Sequence, residues 1–243
     1  MGRPTTPPPN VSPAEGAGEP RTGTLGVVGV GLIGGSIAAA AKARGAADRV
    51  IGFGRNADRL AAARDAGLLD EFSTEPEAAA GADLLVVCTP VGRIVADVRR
   101  FLGVLNEQTV VTDAGSVKGA ICEDLRDQPQ FVGSHPLAGS EKAGWEHADA
   151  DLFAGRVTVV CGARDDAPAA AVSRFWQALG SRVEWMTPAE HDARLARTSH
   201  LPHAMAAALC LAADADVRPG RGDGRLTSTG FADTTRVAAG DPA

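Results

Sequence analysis

Six residues, Gly29-Val30-Gly31-Leu32-Ile33-Gly34, constrain this chain more than any other stretch. They form a G-x-G-x-x-G inside the apolar run TLGVVGV (24–30) and the amphipathic stretch that follows it, a context that predicts strand, tight turn and helix in succession. Gly29 permits the turn, Gly31 lets a pyrophosphate approach the backbone, and Gly34 lets the helix pack on the strand. The free N–H groups where the helix opens, around Leu32 and Ile33, and the positive end of its dipole suit phosphate oxygens. The segment reads as a dinucleotide site. An acidic residue closing the second strand would hold the ribose hydroxyls of NAD, yet RVIGF (49–53) runs into Gly54-Arg55-Asn56. Arg55 suits a 2′-phosphate, which leans the cofactor toward NADP or toward use of both NADP and NAD. The alternative is that Arg55 is a solvated loop charge.

Beyond this β-α-β start (helices over Ser36–Arg44 and Asp58–Ala66), apolar runs at 82–88, 109–113, 130–134, 156–161 and 182–186 alternate with helical stretches. Such alternation predicts parallel pairing with helices on both faces, a Rossmann-like doubly wound α/β sheet over residues 23–187. Residues 1–22 are rich in Pro, Gly and small polar residues and predict a disordered tail. After Pro188 the stretch AEHDARLARTSHLPHAMAAALCLAADA carries no strand signal, so 188–243 is expected to be a smaller all-helical domain. Pro202 within it predicts a kink rather than an end.

The 243 residues carry a net charge of -6 with both signs interspersed, which argues against nucleic acid and anionic lipid and favours a small-molecule partner. Cys88, Cys122, Cys161 and Cys210 match neither zinc spacing nor a disulfide framework and read as reduced thiols. No run is long and apolar enough to span a bilayer, and the start lacks a signal-peptide plan, so the expected location is cytoplasmic. His191, His200 and His203 lie along the helical stretch without matching Cys or acidic spacing, so no metal site is expected.

Four further segments, VVCTPVGRI (86–94), TDAGSVKG (112–119), GSHPLAGSEKAG (133–144) and HDARLARTSHLPHAMAAAL (191–209), together with GVGLIGGS (29–36), resemble prephenate/arogenate dehydrogenases of tyrosine biosynthesis. The resemblance implies oxidative decarboxylation of a cyclohexadienol: prephenate to 4-hydroxyphenylpyruvate, or arogenate to tyrosine. By resemblance His135 is the catalytic histidine, and Ser116 stands near it, although a serine there also suits a helix N-cap. Lys118 reads either as part of that site or as a solvated first-turn lysine. Thr89 and Pro90 fall to the cofactor, while His191, His203, Ser140 and Glu141 fall to the substrate cleft. His200 reads equally as a packed helix residue. Arg236, in DTTR (233–236), matches the arginine that pairs with a substrate carboxylate. In the family, further helices follow that motif and complete a dimer core, so the helical domain is expected to be incomplete here and a homodimer to depend on what remains. The other readings are a β-hydroxyacid dehydrogenase, which lacks the S-H-P and H-D…S-H-L-P-H signatures, and a non-catalytic dinucleotide-binding remnant.

Overall fold

The central strands of the sheet are short apolar runs whose alternate residues feed opposite layers. Leu25 and Val27 of β1 (Thr22–Val28) enter one core, while Val28 enters the other. Val50 of β2 (Ala47–Phe53) and Leu84 and Val86 of β4 (Leu84–Val87) join the first core; Ile51, Phe53, Leu85 and Val87 join the second. Continuous hydrophobic runs are what a strand covered on both faces requires. The computed structural model describes residues 22–140, 142–214 and 228–238. The expected disordered tail, apart from Thr22, the loop RPGRGDGR (218–225) and Glu141 lie outside the described residues.

Helix α1 (Leu32–Arg44) and α5 (Ala167–Ala178) cover the first face, and α3 (Val91–Leu102) and α4 (Gly119–Asp124) the second. A short α2 (Ala57–Asp65) follows β2, capped by the Asn56 side chain, which accepts from Arg59 N–H at 3.0 Å. The strand order is β3-β2-β1-β4-β5-β6-β7-β8, with β3 (Glu71–Ser73), β5 (Val110–Asp113), β6 (Phe131–Pro136), β7 (Val157–Cys161) and β8 (Arg182–Trp185). The chain runs outward from β1 through β2 to β3 and then crosses back to β4 on the other side of β1, so a crevice opens beyond the carboxyl ends of β1 and β4.

The expectation of parallel pairing throughout is corrected at one place: β7 runs antiparallel to β6, with His135 opposite Val159. The described residues of 137–156 hold one 3-10 turn and no helical crossover, which leaves the antiparallel return as the short solution. Strand β3, three residues long, carried no alternation to read.

The helical region opens with α6 (Pro188–Leu195), set by a capping box in which Thr187 and Glu190 satisfy each other's backbone N–H groups. It widens into a π-helical turn over Ala196–His200 and continues as α7 (Leu201–Asp214). Pro202, which offers no N–H, therefore does not end the helix. Carbonyls loosened by the turn find side chains: Arg197 Nε donates to Ala193 O at 3.1 Å and Thr198 Oγ1 to Arg194 O at 3.0 Å. A last helix, α8 (Thr229–Thr235), packs on α7. Among the described residues no helix is long and apolar enough to cross a membrane.

Helix α1 lies directly against the turn that follows β1. A methyl group on Gly34 would sit 2.2 Å from Gly29 O, so any side chain there pushes the helix off its strand. Gly34→Ala is expected to lower stability by about 1–3 kcal/mol in urea unfolding, and to weaken cofactor binding in the same preparation; unchanged affinity would contradict the packing argument.

Candidate active site

The turn after β1 is built as its sequence implies. Gly29 adopts a left-handed φ of 89°, which side chains disfavour. A Cβ on Gly31 would meet nothing within 4 Å, so the space beside the α1 N-terminus stays open to a phosphate, and no side chain caps the helix. The adjoining cleft, about 720 Å³, is lined by Gly29, Gly31, Arg55, Thr89 and Pro90, five of the residues expected to hold cofactor. Leu32, Ile33 and Gly34 form the first turn of α1 behind it. The Thr89 hydroxyl is buried there without a protein partner, a donor left for a bound group. The residues present thus fit a dinucleotide. Three more arginines, Arg59, Arg93 and Arg100, line the same cleft and went unnoticed in the sequence, because their positions on α2 and α3 read as ordinary solvated helix faces. Arg93 is held by Asp97 at 3.2 Å.

At the carboxyl ends of β5 and β6 lies a second centre. Lys118 is fully buried, not solvated: Nζ donates to Asp113 Oδ2 and, at 2.9 Å, to Ser134 O. Asp113 also accepts from Gly115 N–H at 2.9 Å and Ser134 N–H at 3.1 Å. The Ser134 hydroxyl donates to Asp113 O at 2.6 Å and accepts from Trp176 Nε1 at 2.9 Å. These contacts fix the backbone on which His135, the next residue, is carried.

The His135 ring meets His191 of α6, Nδ1 to Nε2, at 2.9 Å, and His191 Nδ1 meets Asp192 Oδ1 at 2.8 Å. A carboxylate only accepts, so His191 carries its proton on Nδ1. With both rings uncharged, His191 Nε2 must then accept from His135 Nδ1–H, which leaves His135 Nε2 as a bare lone pair. Asp192 is itself fixed by Lys118 N–H and Gly119 N–H, each at 2.8 Å. Burial would raise its carboxyl, but these donors and His191 hold it below the usual carboxylate range. Burial first, then the repulsion that a second proton on the His135–His191 pair would meet and the charges of Lys118 and His200, push the His135 imidazole down to about 3, so it stays neutral near pH 7.

His135 opens onto a cavity of about 560 Å³ that also takes in His203, Ser199, Thr198, Arg156 and Leu195. His203 donates from Nδ1 to Ser199 O at 2.8 Å, leaving its Nε2 free. Of the other residues expected at a substrate, His191 is fully buried behind His135 rather than on the cavity wall. Ser116 is exposed in the loop between β5 and α4, and the expected helix starts later, at Gly119, with Lys118 as its N-cap. Ser140 is exposed and accepts from Lys142 N–H at 3.2 Å. Arg236 is exposed just beyond α8, away from the cavity wall, and Glu141 lies outside the described residues. Asp113, Arg156 and Asp192 gave no isolated signal in the sequence, although Asp192 adjoins His191 and Asp113 opens the segment holding Ser116. Among the described residues no cluster of three or more His, Cys, Asp or Glu is arranged to hold a metal. A Cβ on Gly139 would lie 4.0 Å from Ile33 Cδ1, so the loop after His135 abuts the dinucleotide helix.

The lowered proton affinity of His135 has a stability consequence. The unfolded chain binds a proton at about 6.5 that the folded chain excludes until about 3. Stability should therefore fall as pH drops through that window, by up to about 1.4 kcal/mol per pH unit from this group. Urea midpoints at stepped pH should show that slope reduced in His135→Asn; an identical slope in both proteins would contradict the assignment.

A family model described as the prephenate dehydrogenase nucleotide-binding domain matches residues 37–185, and one described as the prephenate dehydrogenase dimerization domain matches 187–243. The cyclohexadienyl dehydrogenase of Zymomonas mobilis subsp. mobilis is 33% identical over 225 residues, 90% of this chain and 77% of that protein. The prephenate dehydrogenase of Bacillus subtilis is 31% identical over 233 residues, again 90% of this chain; the chain covers 62% of the Bacillus protein, less than two thirds. A crystal structure of prephenate dehydrogenase from A. aeolicus, in complex with hydroxyphenyl propionate and NAD+, matches with a TM-score of 0.86 and 32% identity, covering 93% of this chain and 81% of that one. With a glycine-loop cleft, a hydrogen-bonded histidine pair and both halves of the chain matched, this protein belongs to the prephenate dehydrogenase family of oxidoreductases.

Proposed function

We propose that the chain catalyses NAD(P)-dependent oxidative decarboxylation of a cyclohexadienol of the prephenate or arogenate type. The observation that carries this reading is the lone pair of His135 Nε2, turned outward by the hydrogen bonds of His191 and Asp192 and facing a cavity beside the dinucleotide helix. The nicotinamide of a bound cofactor supplies the hydride acceptor. His135 accepts a hydrogen bond from the substrate hydroxyl, which lets the ring carbon give up its hydride as the carbonyl forms. The bond to the ring carboxylate then breaks; its electron pair completes the aromatic ring, CO₂ leaves, and the hydroxyl oxygen keeps or regains its proton. Positive charge growing on His135 is passed to His191 and balanced by Asp192. His203, on the same cavity, is assigned a second polar contact through Nε2, Ser116 and Ser140 are assigned to the substrate by resemblance, Ser140 next to the lining Gly139, and Arg236 is assigned a substrate carboxylate. Prephenate should give NAD(P)H absorbance with the wild-type chain. His135→Asn should cut kcat by roughly 10²–10⁴-fold with little change in KM; a kcat near that of the wild type would refute the role.

The same assay run with both cofactors tests the second part of the reading. Arg55, with Arg59, Arg93 and Arg100 around one cleft and no carboxylate at the end of β2, favours a cofactor carrying a 2′-phosphate, so NADP or dual use is proposed. A strong preference for NAD would overturn it.

Homodimerisation is also proposed. Leu201, Met205 and Leu209 recur at four-residue spacing on α7 and are 54, 54 and 38% exposed, an apolar stripe that a second copy of the helical region would cover. Leu209→Glu should lower the apparent mass in sedimentation; a protein monomeric before the substitution would contradict the dimer.

A further inference from the structure

The cavity in front of His135 has one cation whose charge nothing nearby answers. Arg156, at the entry to β7, lines it together with His135, Thr198, Ser199 and His203. Arg156 forms no ion pair among the described residues, whereas most of the other described arginines have a carboxylate or carbonyl partner. No aspartate or glutamate among the described residues contributes to the cavity wall. The described lining therefore offers one guanidinium charge and neutral hydrogen-bonding groups, and no carboxylate to balance the charge of an ammonium group.

Prephenate and arogenate differ at one place, the side chain, which ends as an α-keto acid in the first and as an α-amino acid in the second. The keto acid presents a ketone oxygen and a carboxylate oxygen side by side, two acceptors matched to the fork of a guanidinium. The amino acid puts an ammonium where the ketone oxygen would be, facing the same cation.

Resting on the oxidative decarboxylation read above, we propose that Arg156 binds the side-chain end of the substrate and makes this pocket selective for the keto acid, prephenate, over arogenate.

Steady-state kinetics with both substrates, on the wild type, Arg156→Gln and Arg156→Lys, test this. The wild type should favour prephenate in kcat/KM by roughly tenfold or more, and Arg156→Gln should raise the KM for prephenate by roughly ten- to a hundredfold. Arogenate turnover should change far less, Arg156→Lys should recover part of the loss, and cofactor affinity should be unchanged, which a folding defect would not allow. Equal use of the two substrates by the wild type, or an unaltered prephenate KM in Arg156→Gln, overturns the proposal. Should neither substrate turn over, the reaction assigned above fails, and calorimetry decides Arg156 separately. Tighter binding of 4-hydroxyphenylpyruvate than of tyrosine, lost in Arg156→Gln, supports its role, and equal binding removes it.

Discussion

Lys118 is the residue through which the rest of the active site is held together. Its ammonium lies wholly inside the protein between Asp113 of β5 and the Ser134 carbonyl of β6, and its own N–H is taken by Asp192 of α6. One residue thereby ties two sheet strands to the first helix of the C-terminal region. Buried ion pairs of this kind add little net stability over a well-packed apolar pair, because desolvation offsets most of the attraction. What the pair supplies is a single answer for the position of β6, since any slip of the strand would leave a charge in the interior without its counterpart.

On that fixed base the histidines act in series. Asp192 sets the tautomer of His191, His191 sets that of His135, and His135 presents an acceptor to the cavity. Every member of the chain is constrained from behind, so the outward nitrogen of His135, the one proposed to meet substrate, is held in one orientation by the protein itself. The dinucleotide cleft is organised differently: it relies on backbone N–H groups and the absence of side chains at Gly31 and Gly34, with arginines supplied at its far end by α2 and α3.

How far the sequence could be read follows from which signals are local. The glycine loop was legible because its spacing dictates both the turn and the helix that follows, and the two-faced burial of β1, β2 and β4 was legible as unbroken apolar runs. The reversal of β7 was not, since strand direction leaves no mark within a strand; the missing helix between Pro136 and Val157 was the available clue. Lysine is so seldom buried that the sequence left Lys118 open between the site and a solvated first turn, and only its partners, five and sixteen residues away, decide it. Ser116 was expected to start α4, yet the helix waits until Gly119, where Asp192 closes its first free N–H groups from 73 and 74 residues away. Contacts over such distances have no counterpart in a local pattern.

The π-helical turn at Ala196–His200 separates two demands that would otherwise compete for one helix face. A regular helix advances by about 100° per residue, so its polar and apolar rows are locked in phase from end to end. One widened turn acts as a phase shifter: α6 can keep His191 and Leu195 pressed into the protein while α7 starts afresh with its own stripe turned outward. The chemistry proposed for one side and the assembly surface proposed for the other can then drift independently in sequence, because a change that re-registers one does not rotate the other.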